Sequence, residues 1–317
     1  MQERERFCLW RKRSRGGLSA GREEAVGRSL AGRLGEKRIL VAPGVFDMVS
    51  LKLADAMGFE ALYVTGYGVV ASHLGLPDAG IATYTEMVGR VAAMAAASAT
   101  PLIADGDTGY GGLLNIRHTV RGYEAAGAAA IQLEDQEFPK KCGHTPGRRV
   151  VPLEDMCRRI EVAVEARRDR EFLIIARTDA RSALGLDEAI RRGEAYAKAG
   201  ADVLFIESPE SEAELARIAR SFDLPLLANM VEGGRTPVLP ARRLEELGFR
   251  IAIHPVAGLL AAAAALSRVY RGLREPAGAP DAGPGVFPFA EFNKLMGFEE
   301  IWEFERRHAE HPKGETP

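Results

Sequence analysis

From Arg38 onward the chain moves between two hydrophobic rhythms: short, almost unbroken apolar runs, and longer stretches whose apolar residues recur every three or four positions. The runs are Ile39–Phe46, Ala61–Gly66, Pro101–Asp107, Ala129–Asp135, Phe172–Asp179, Val203–Glu207, Pro225–Val231 and Phe249–His254. Unbroken runs are expected of parallel strands covered on both faces, whereas a half-solvated strand alternates. The stretches between them have helical spacing, as in Met156, Ile160 and Val164, or Leu186, Ile190, Tyr196 and Ala197. Gly58, Gly127, Gly200 and Gly248 close four of these stretches just before a strand, where a left-handed cap is wanted.

Eight strand–helix units within roughly 250 residues predict an α/β fold of the (β/α)8 TIM-barrel type. A doubly wound open sheet would carry a glycine-rich phosphate fingerprint at its first turn, and none is present. The expected organisation is an N-terminal extension over residues 1–36, basic and partly disordered, a catalytic barrel over 37–274, and a linker with a final helix over 275–317. The linker is the Pro/Gly-rich "REPAGAPDAGPG". Beyond it, Phe289, Phe292, Leu295, Met296, Phe298, Ile301, Trp302 and Phe304 make the stretch Phe287–His308 too apolar for a solvated tail; one helix is predicted there, packed on the barrel or on another subunit.

Composition narrows the partners. Lys and Arg number 42 against 44 Asp and Glu, a formal net charge of −2, so no global field draws the chain to nucleic acid or an anionic membrane. The longest apolar stretch, Ile251 to Leu266, is broken by His254, Pro255 and Gly258 and does not read as a membrane span. The Arg-rich start (Arg4, Arg6, Arg11, Arg13, Arg15) is followed by no apolar segment and is not read as a signal peptide. Three cysteines, Cys8, Cys142 and Cys157, argue against a disulfide framework and for a reducing, cytoplasmic setting.

In a barrel the reactive groups collect at the C-terminal ends of the strands, so the polar residues that end each run are the candidates. Asp105 and Asp107 end the third, two apart and therefore predicted to point the same way along a strand. Glu134 and Asp135 end the fourth, Arg177 and Asp179 the fifth, Glu207 the sixth, Asn229 and Glu232 the seventh, and His254 the eighth; His254 reads as an ordinary strand-end histidine. Neighbouring inward carboxylates repel unless a cation lies between them, and an all-oxygen ligand set selects Mg²⁺ or Mn²⁺. Asp78 in "GLPDAG" reads equally well as a turn residue. In "FPKKCGHTPGRR", Lys140, Lys141 and His144 flank Cys142; nearby cations lower a thiol pKa and suit it to acid–base work, whereas Cys157 reads as a small core residue.

At these residues the sequence resembles the isocitrate lyase and phosphoenolpyruvate mutase superfamily. The resemblance is carried in order by "YVTGYGVVASHLGLPDAG", "DGDTGYGG", "QLEDQEFPKKCGH", "IIARTDA", "LFIES" and "ANMVEGGRTP", and it is closest to the branch holding the petal death protein, 2-methylisocitrate lyase, 2,3-dimethylmalate lyase and the carboxyphosphoenolpyruvate phosphonomutases. It implies that Thr65, Gly66 and Tyr67 bind the carboxylate and carbonyl of a 2-oxo acid, with Glu207 and Asn229 completing the floor. It implies further that Asp107 ligates Mg²⁺ directly while Asp78, Asp105 and Glu134 hold it through water. Arg177 would clamp the oxo-acid portion, and Cys142 would lie on a mobile gating loop; Cys142, Arg177 and Glu134 are the catalytic candidates. Thr65 stands where many relatives carry Ser, which keeps the hydroxyl and adds a methyl.

The implied activity is Mg²⁺-dependent cleavage of a carbon–carbon bond in a small 2-hydroxy or 2-oxo acid of the 2-methylisocitrate, 2,3-dimethylmalate or oxaloacetate type. It releases a 2-oxo acid such as pyruvate, from a homotetramer that swaps a helix. Phosphonate formation and oxaloacetate hydrolysis or decarboxylation are the variants on the same scaffold. A silent barrel would have lost a metal carboxylate or the loop cysteine, and a Schiff-base aldolase needs a lysine at a strand end.

Overall fold

The computed structural model describes residues 29–36, 38–143, 147–274 and 286–308. The predicted basic start of the N-terminal extension, Cys8, His144 and the Pro/Gly-rich linker lie outside the described residues. Helix α1 (Leu30–Leu34) precedes strand β1 (Leu40–Val45) and helix α2 (Met48–Ala56). Then come β2 (Leu62–Val64), α3 (Gly66–Leu74), α4 (Tyr84–Ala97), β3 (Leu102–Asp105), α5 (Leu113–Ala125), β4 (Ala130–Glu134) and α6 (Leu153–Ala166). The second half runs β5 (Leu173–Thr178), α7 (Ala180–Leu184), α8 (Leu186–Lys198), β6 (Val203–Ile206), α9 (Glu212–Ser221), β7 (Leu226–Asn229), α10 (Ala241–Leu247), β8 (Ile251–His254) and α11 (Ala257–Arg274).

The eight strands pair in parallel in sequence order, and β8 returns to β1 through Leu40–Ile251 and Val41–Ala252, closing the barrel. All eight predicted runs hold a strand, each shorter than its run because residues at one or both ends of the run belong to the adjoining loops. Gly58, Gly127, Gly200 and Gly248 adopt φ of 77°, 91°, 101° and 114°, the left-handed geometry expected at a helix end.

Alternation along the strands divides the core in two. Leu62, Val64, Ala104, Ile131, Leu133, Ile174, Ala176 and Leu204 pack outward against the helices. Tyr63, Ile103, Ala130, Leu173, Ile175, Val203, Phe205, Leu227, Ile251 and Ile253 fill the barrel. Leu30 and Leu34 of α1 join this inner cluster, so residues that the sequence pattern left in the N-terminal extension pack with the barrel interior. Arg33 reinforces the placement by donating to the Glu60 carbonyl at 2.5 Å.

The described residues up to Leu260 and those from Ala261 onward form separate compact units. In the second, the predicted single aromatic helix is two, α12 (Phe289–Leu295) and α13 (Phe298–His308). The break is at Gly297, whose φ of 88° ends α12 as its amide reaches the Lys294 carbonyl at 3.0 Å. Ile301, Trp302 and Phe304 remain 47–58% exposed in the isolated chain.

At Gly44 of β1 an added Cβ would lie 2.2 Å from the carbonyl oxygen of Pro255, just past β8, and backbone cannot yield there as a side-chain tip can. Gly44→Ala is expected to lower unfolding free energy by about 1–3 kcal/mol, measured by urea denaturation; a loss within the error of the measurement would show that this seam adjusts freely.

Candidate active site

The same alternation positions the site. In β3 to β7 the inward parity that carries Ile103, Ala130, Ile175, Phe205 and Leu227 places Asp105, Gln132, Glu134, Arg177, Glu207 and Asn229 inward at or just past the C-terminal ends of the strands. Asp105, Glu134, Arg177, Glu207 and Asn229 line a cavity of about 270 Å³, with Thr65, Tyr67, Asp78, Lys140 and Cys142 around its mouth. Val231, Ile253, Pro255, Val256 and Leu260 give it one apolar wall.

Asp107 is not on the strand, which corrects the prediction that it and Asp105 share a strand face. β3 stops at Asp105, and Asp107 takes a left-handed φ of 47°. Its amide donates to Asp105 Oδ1 at 3.0 Å and its carbonyl receives the Glu134 amide at 2.9 Å. The two carboxylates nevertheless stay together, buried at one mouth, because the turn folds Asp107 back onto Asp105.

The cation between the acids is Lys140. Its ammonium, 3% exposed, bonds to Asp78 and lies 2.6 Å from Asp107 Oδ1. Burial opposes the lysine charge, but Asp107, Asp78, Glu134 and Asp105 outweigh it and raise the Lys140 pKa well above its ordinary value. Burial is likewise the largest influence on Asp105 and Asp107, whose carboxyls end above the usual range despite Lys140 and Arg177. Glu134 is pushed well up by burial against the pull of Arg177. Asp78 therefore belongs to the site rather than serving only as a turn residue.

Arg177 is buried among acids. Its Nε and Nη2 grip Asp179 in a fork at 2.9 Å each, while Glu134 and Glu207 lie at 3.5 and 3.4 Å. Phe205 lies under the guanidinium, 5.1 Å from ring centre to carbon. Burial raises Asp179, but Arg177 and Arg148 prevail and hold its carboxyl below the ordinary range. Asp135 faces outward: it accepts from Thr178 Oγ1 at 2.7 Å, Tyr196 Oη at 2.7 Å, Arg192 at 3.0 Å and the Asp179 amide at 2.9 Å, a buried brace for the strand end that holds Arg177.

Thr65 caps α3 by accepting from the Gly68 amide at 3.3 Å. Gly66 is required beside it, since a Cβ would sit 2.7 Å from Asp105 Oδ2. Tyr67 is half exposed at the cavity rim. Asn229 donates to Glu207 at 3.0 Å, joining the two floor residues. Cys142 reaches the cavity from the β4–α6 loop, while Cys157 packs on the outer core as expected. His254 stands apart, 4.0 Å from Glu232.

Sequence reasoning missed Lys140 as a binding group, reading it only as a neighbour of Cys142, because its partner Asp78 lies 62 residues away in another loop. It also missed Tyr63, whose hydroxyl donates to Gln132 Oε1 at 3.0 Å inside the cavity, because Tyr63 sits mid-run among core residues.

The residues present suit a hard cation. Asp107 Oδ1 lies off the hydrogen-bonding direction of Lys140, and Glu134 Oε1 is buried without a donor. Among the described residues no group of three or more acidic, histidine or cysteine side chains stands in a geometry that could hold a metal ion.

A family model described as phosphoenolpyruvate phosphomutase matches residues 31–274. The chain is 49% identical over 276 residues to 2,3-dimethylmalate lyase of Eubacterium barkeri, covering 87% of this chain and 96% of that protein. It superposes on oxaloacetate acetylhydrolase bound to 3,3-difluorooxalacetate with a TM-score of 0.83 and 36% identity, over 89% of this chain and 96% of that one. On phosphonopyruvate hydrolase with oxalate and Mg²⁺ the values are 0.80 and 31%, over 89% and 98%.

Lys140→Met leaves Asp78 and Asp107 buried without their ammonium. The metal-free variant is expected to lose about 3–5 kcal/mol at neutral pH. Burial raises the Asp107 pKa and Lys140 opposes that rise, so it climbs further without the ammonium; the loss should shrink as pH falls through the raised value and grow as pH rises through it. Urea denaturation across pH checks this; an equal loss at acid and neutral pH would contradict the charge pairing.

Proposed function

The chain belongs to the phosphoenolpyruvate phosphomutase family, and from that premise we propose that it is a divalent-metal-dependent lyase, cleaving a carbon–carbon bond in a small 2-hydroxy acid to release a 2-oxo acid such as pyruvate. The observation that carries this reading is the cavity's polarity: acids, Lys140 and Arg177 on one side, Val231, Ile253, Val256 and Leu260 on the other. A reactive, charge-rich end and an apolar end suit an acid with an alkyl substituent.

Asp107, with Asp78, Asp105 and Glu134 through water, would hold Mg²⁺ or Mn²⁺. Bound there, the ion supplies a Lewis acid and a template for the carboxylate and oxo oxygens of the product. Arg177, braced by Asp179 and Phe205, presents a fixed charge to the substrate carboxylate. Thr65 and Tyr67 line the space for the oxo-acid portion, with Gly66 between them packed against Asp105, and Glu207 with Asn229 close its floor. As the bond breaks, the substrate hydroxyl gives its proton to a carboxylate on the cavity's acidic side while its oxygen becomes the oxo group, and the electron pair left on the departing carbon takes a proton from the Cys142 thiol, which lines the cavity. Glu134, whose carboxyl burial raises well above the usual range, lies 3.5 Å from Arg177 and completes the polar end of the cavity.

Two further elements belong to the reading. Cys142 works as a thiol, which fits a reducing cytoplasm. Phe298, Ile301, Trp302 and Phe304, 40–58% exposed, are covered by further copies of the chain in a homotetramer. Oxaloacetate hydrolysis is the second reading, favoured by the match to oxaloacetate acetylhydrolase; the apolar wall argues for the alkylated substrate instead.

A panel of 2-alkylmalates, 2,3-dimethylmalate, 2-methylisocitrate and oxaloacetate, assayed with Mg²⁺ and with EDTA, tests the reaction. Pyruvate release from an alkylated malate, abolished by chelator, is expected; oxalate from oxaloacetate alone would favour the second reading, and a new P–C signal in phosphorus NMR would replace both. Cys142→Ser is expected to lower kcat by about 100-fold or more; near-full turnover would remove the thiol from the proton step. Light scattering is expected to return a four-chain mass, reduced by Trp302→Glu, and a single-chain mass for the unaltered protein would refute the assembly.

A further inference from the structure

The segment that carries Lys140 and Cys142 is pinned by two side chains that do not themselves line the cavity. Gln136, 1% exposed, donates from Nε2 to the Lys141 carbonyl at 2.8 Å and accepts the Lys141 amide at Oε1 at 2.9 Å. Both ends of one side-chain amide are thus spent on both peptide groups of one residue, as a sheet neighbour would be. Gln136 is itself fixed at the root of the segment by a bridge to Val150.

Two residues further on, Ser208 Oγ donates to the Gly143 carbonyl at 2.9 Å. Ser208 is fully buried just past β6 in a left-handed conformation, φ 60°, which a residue with a Cβ rarely adopts. Its amide is held by Glu207 Oε1 at 2.7 Å, and Arg148 Nη2 approaches its hydroxyl at 3.4 Å. Gly143 has no room to shift inward: a Cβ there would lie 2.5 Å from Arg177 Nη2 and 2.8 Å from Glu207 Oε2. The backbone is therefore fixed immediately before Cys142 by Gln136 and immediately after it by Ser208.

We infer that Gln136 and Ser208 are positioning residues that set the places of the Cys142 thiol and the Lys140 ammonium in the site. The inference rests on the proposed roles of those two groups, but its geometry does not depend on which acid is cleaved. Gln136→Leu keeps the bulk and strips the Lys141 peptide of both partners; Gln136→Glu keeps the shape and the acceptor; Ser208→Ala removes only the hydroxyl.

The test uses the full-length protein and two readouts. The first is the alkylation rate of Cys142 by iodoacetamide, resolved from Cys8 and Cys157 by peptide mass spectrometry. The second is kcat and KM on the substrate found by the panel. The Cys142 rate is expected to change by about fivefold or more in Gln136→Leu and Ser208→Ala, with the Cys157 rate unchanged. kcat should fall by about 10- to 100-fold in Gln136→Leu and less in Gln136→Glu, with KM within about threefold. Altered Cys157 alkylation would mark a misfolded variant, and the isosteric Gln136→Glu then carries the decision. Wild-type Cys142 rates in every folded variant, with kcat within about twofold, would overturn the inference. Altered Cys142 rates with no turnover of any panel substrate would leave the positioning intact and sink the proposed reaction instead.

Discussion

The site is governed by an excess of buried negative charge. Asp78, Asp105, Asp107, Glu134, Asp179 and Glu207 crowd one mouth of the barrel, and the cations set against them are Lys140, Arg177 and Arg148. Desolvation makes each carboxylate costly, and the raised carboxyls of Asp105, Asp107 and Glu134 record that cost. Asp179 escapes it because two arginines converge on it, Arg148 at 2.5 Å and Arg177 in a fork. The remaining imbalance lies around Asp107 and Glu134, where Asp107 Oδ1 and Glu134 Oε1 are buried without a hydrogen-bond donor, the corner to which the proposed divalent ion is assigned.

The scaffold can carry this imbalance because the chemistry is confined to the last layer of inward residues. Below it, Tyr63, Ile103, Ile175, Phe205 and Ile251 fill the barrel without charge, and Leu30 and Leu34 join them. Outside it, Asp135 with Tyr196, Arg192 and Thr178 stiffens the end of β5, so that Arg177 keeps its orientation without help from the substrate. Opposite the acids, Val231, Val256 and Leu260 provide surface that excludes water from a departing carbanion, linking the packing of the cavity to the proposed bond cleavage.

The barrel was legible because strands buried on both faces need unbroken apolar runs, and eight such runs admit few arrangements. The inward set Asp105, Glu134, Arg177, Glu207 and Asn229 was legible for the same reason: each sits at the polar end of a run. What failed was extrapolating the two-residue period past the strand. Asp107 lies beyond Gly106, in a turn whose left-handed backbone no periodicity announces. The aromatic tail failed similarly, because Gly297 breaks a stretch whose apolar spacing continues through it. Lys140 was hidden for a different reason: its partner Asp78 comes from the loop between α3 and α4, and only the fold brings these loop residues together.

The most direct measurement is Mg²⁺ binding by titration calorimetry in buffers of differing ionisation enthalpy, on the wild-type protein and on Asp107→Asn. Burial raises the proton affinity of the Asp107 and Glu134 carboxyls, so an ion entering among them competes with protons for the same oxygens. The account predicts binding with proton release in the wild type and its loss in Asp107→Asn. Binding of equal strength in both proteins would contradict it, as would no binding at all.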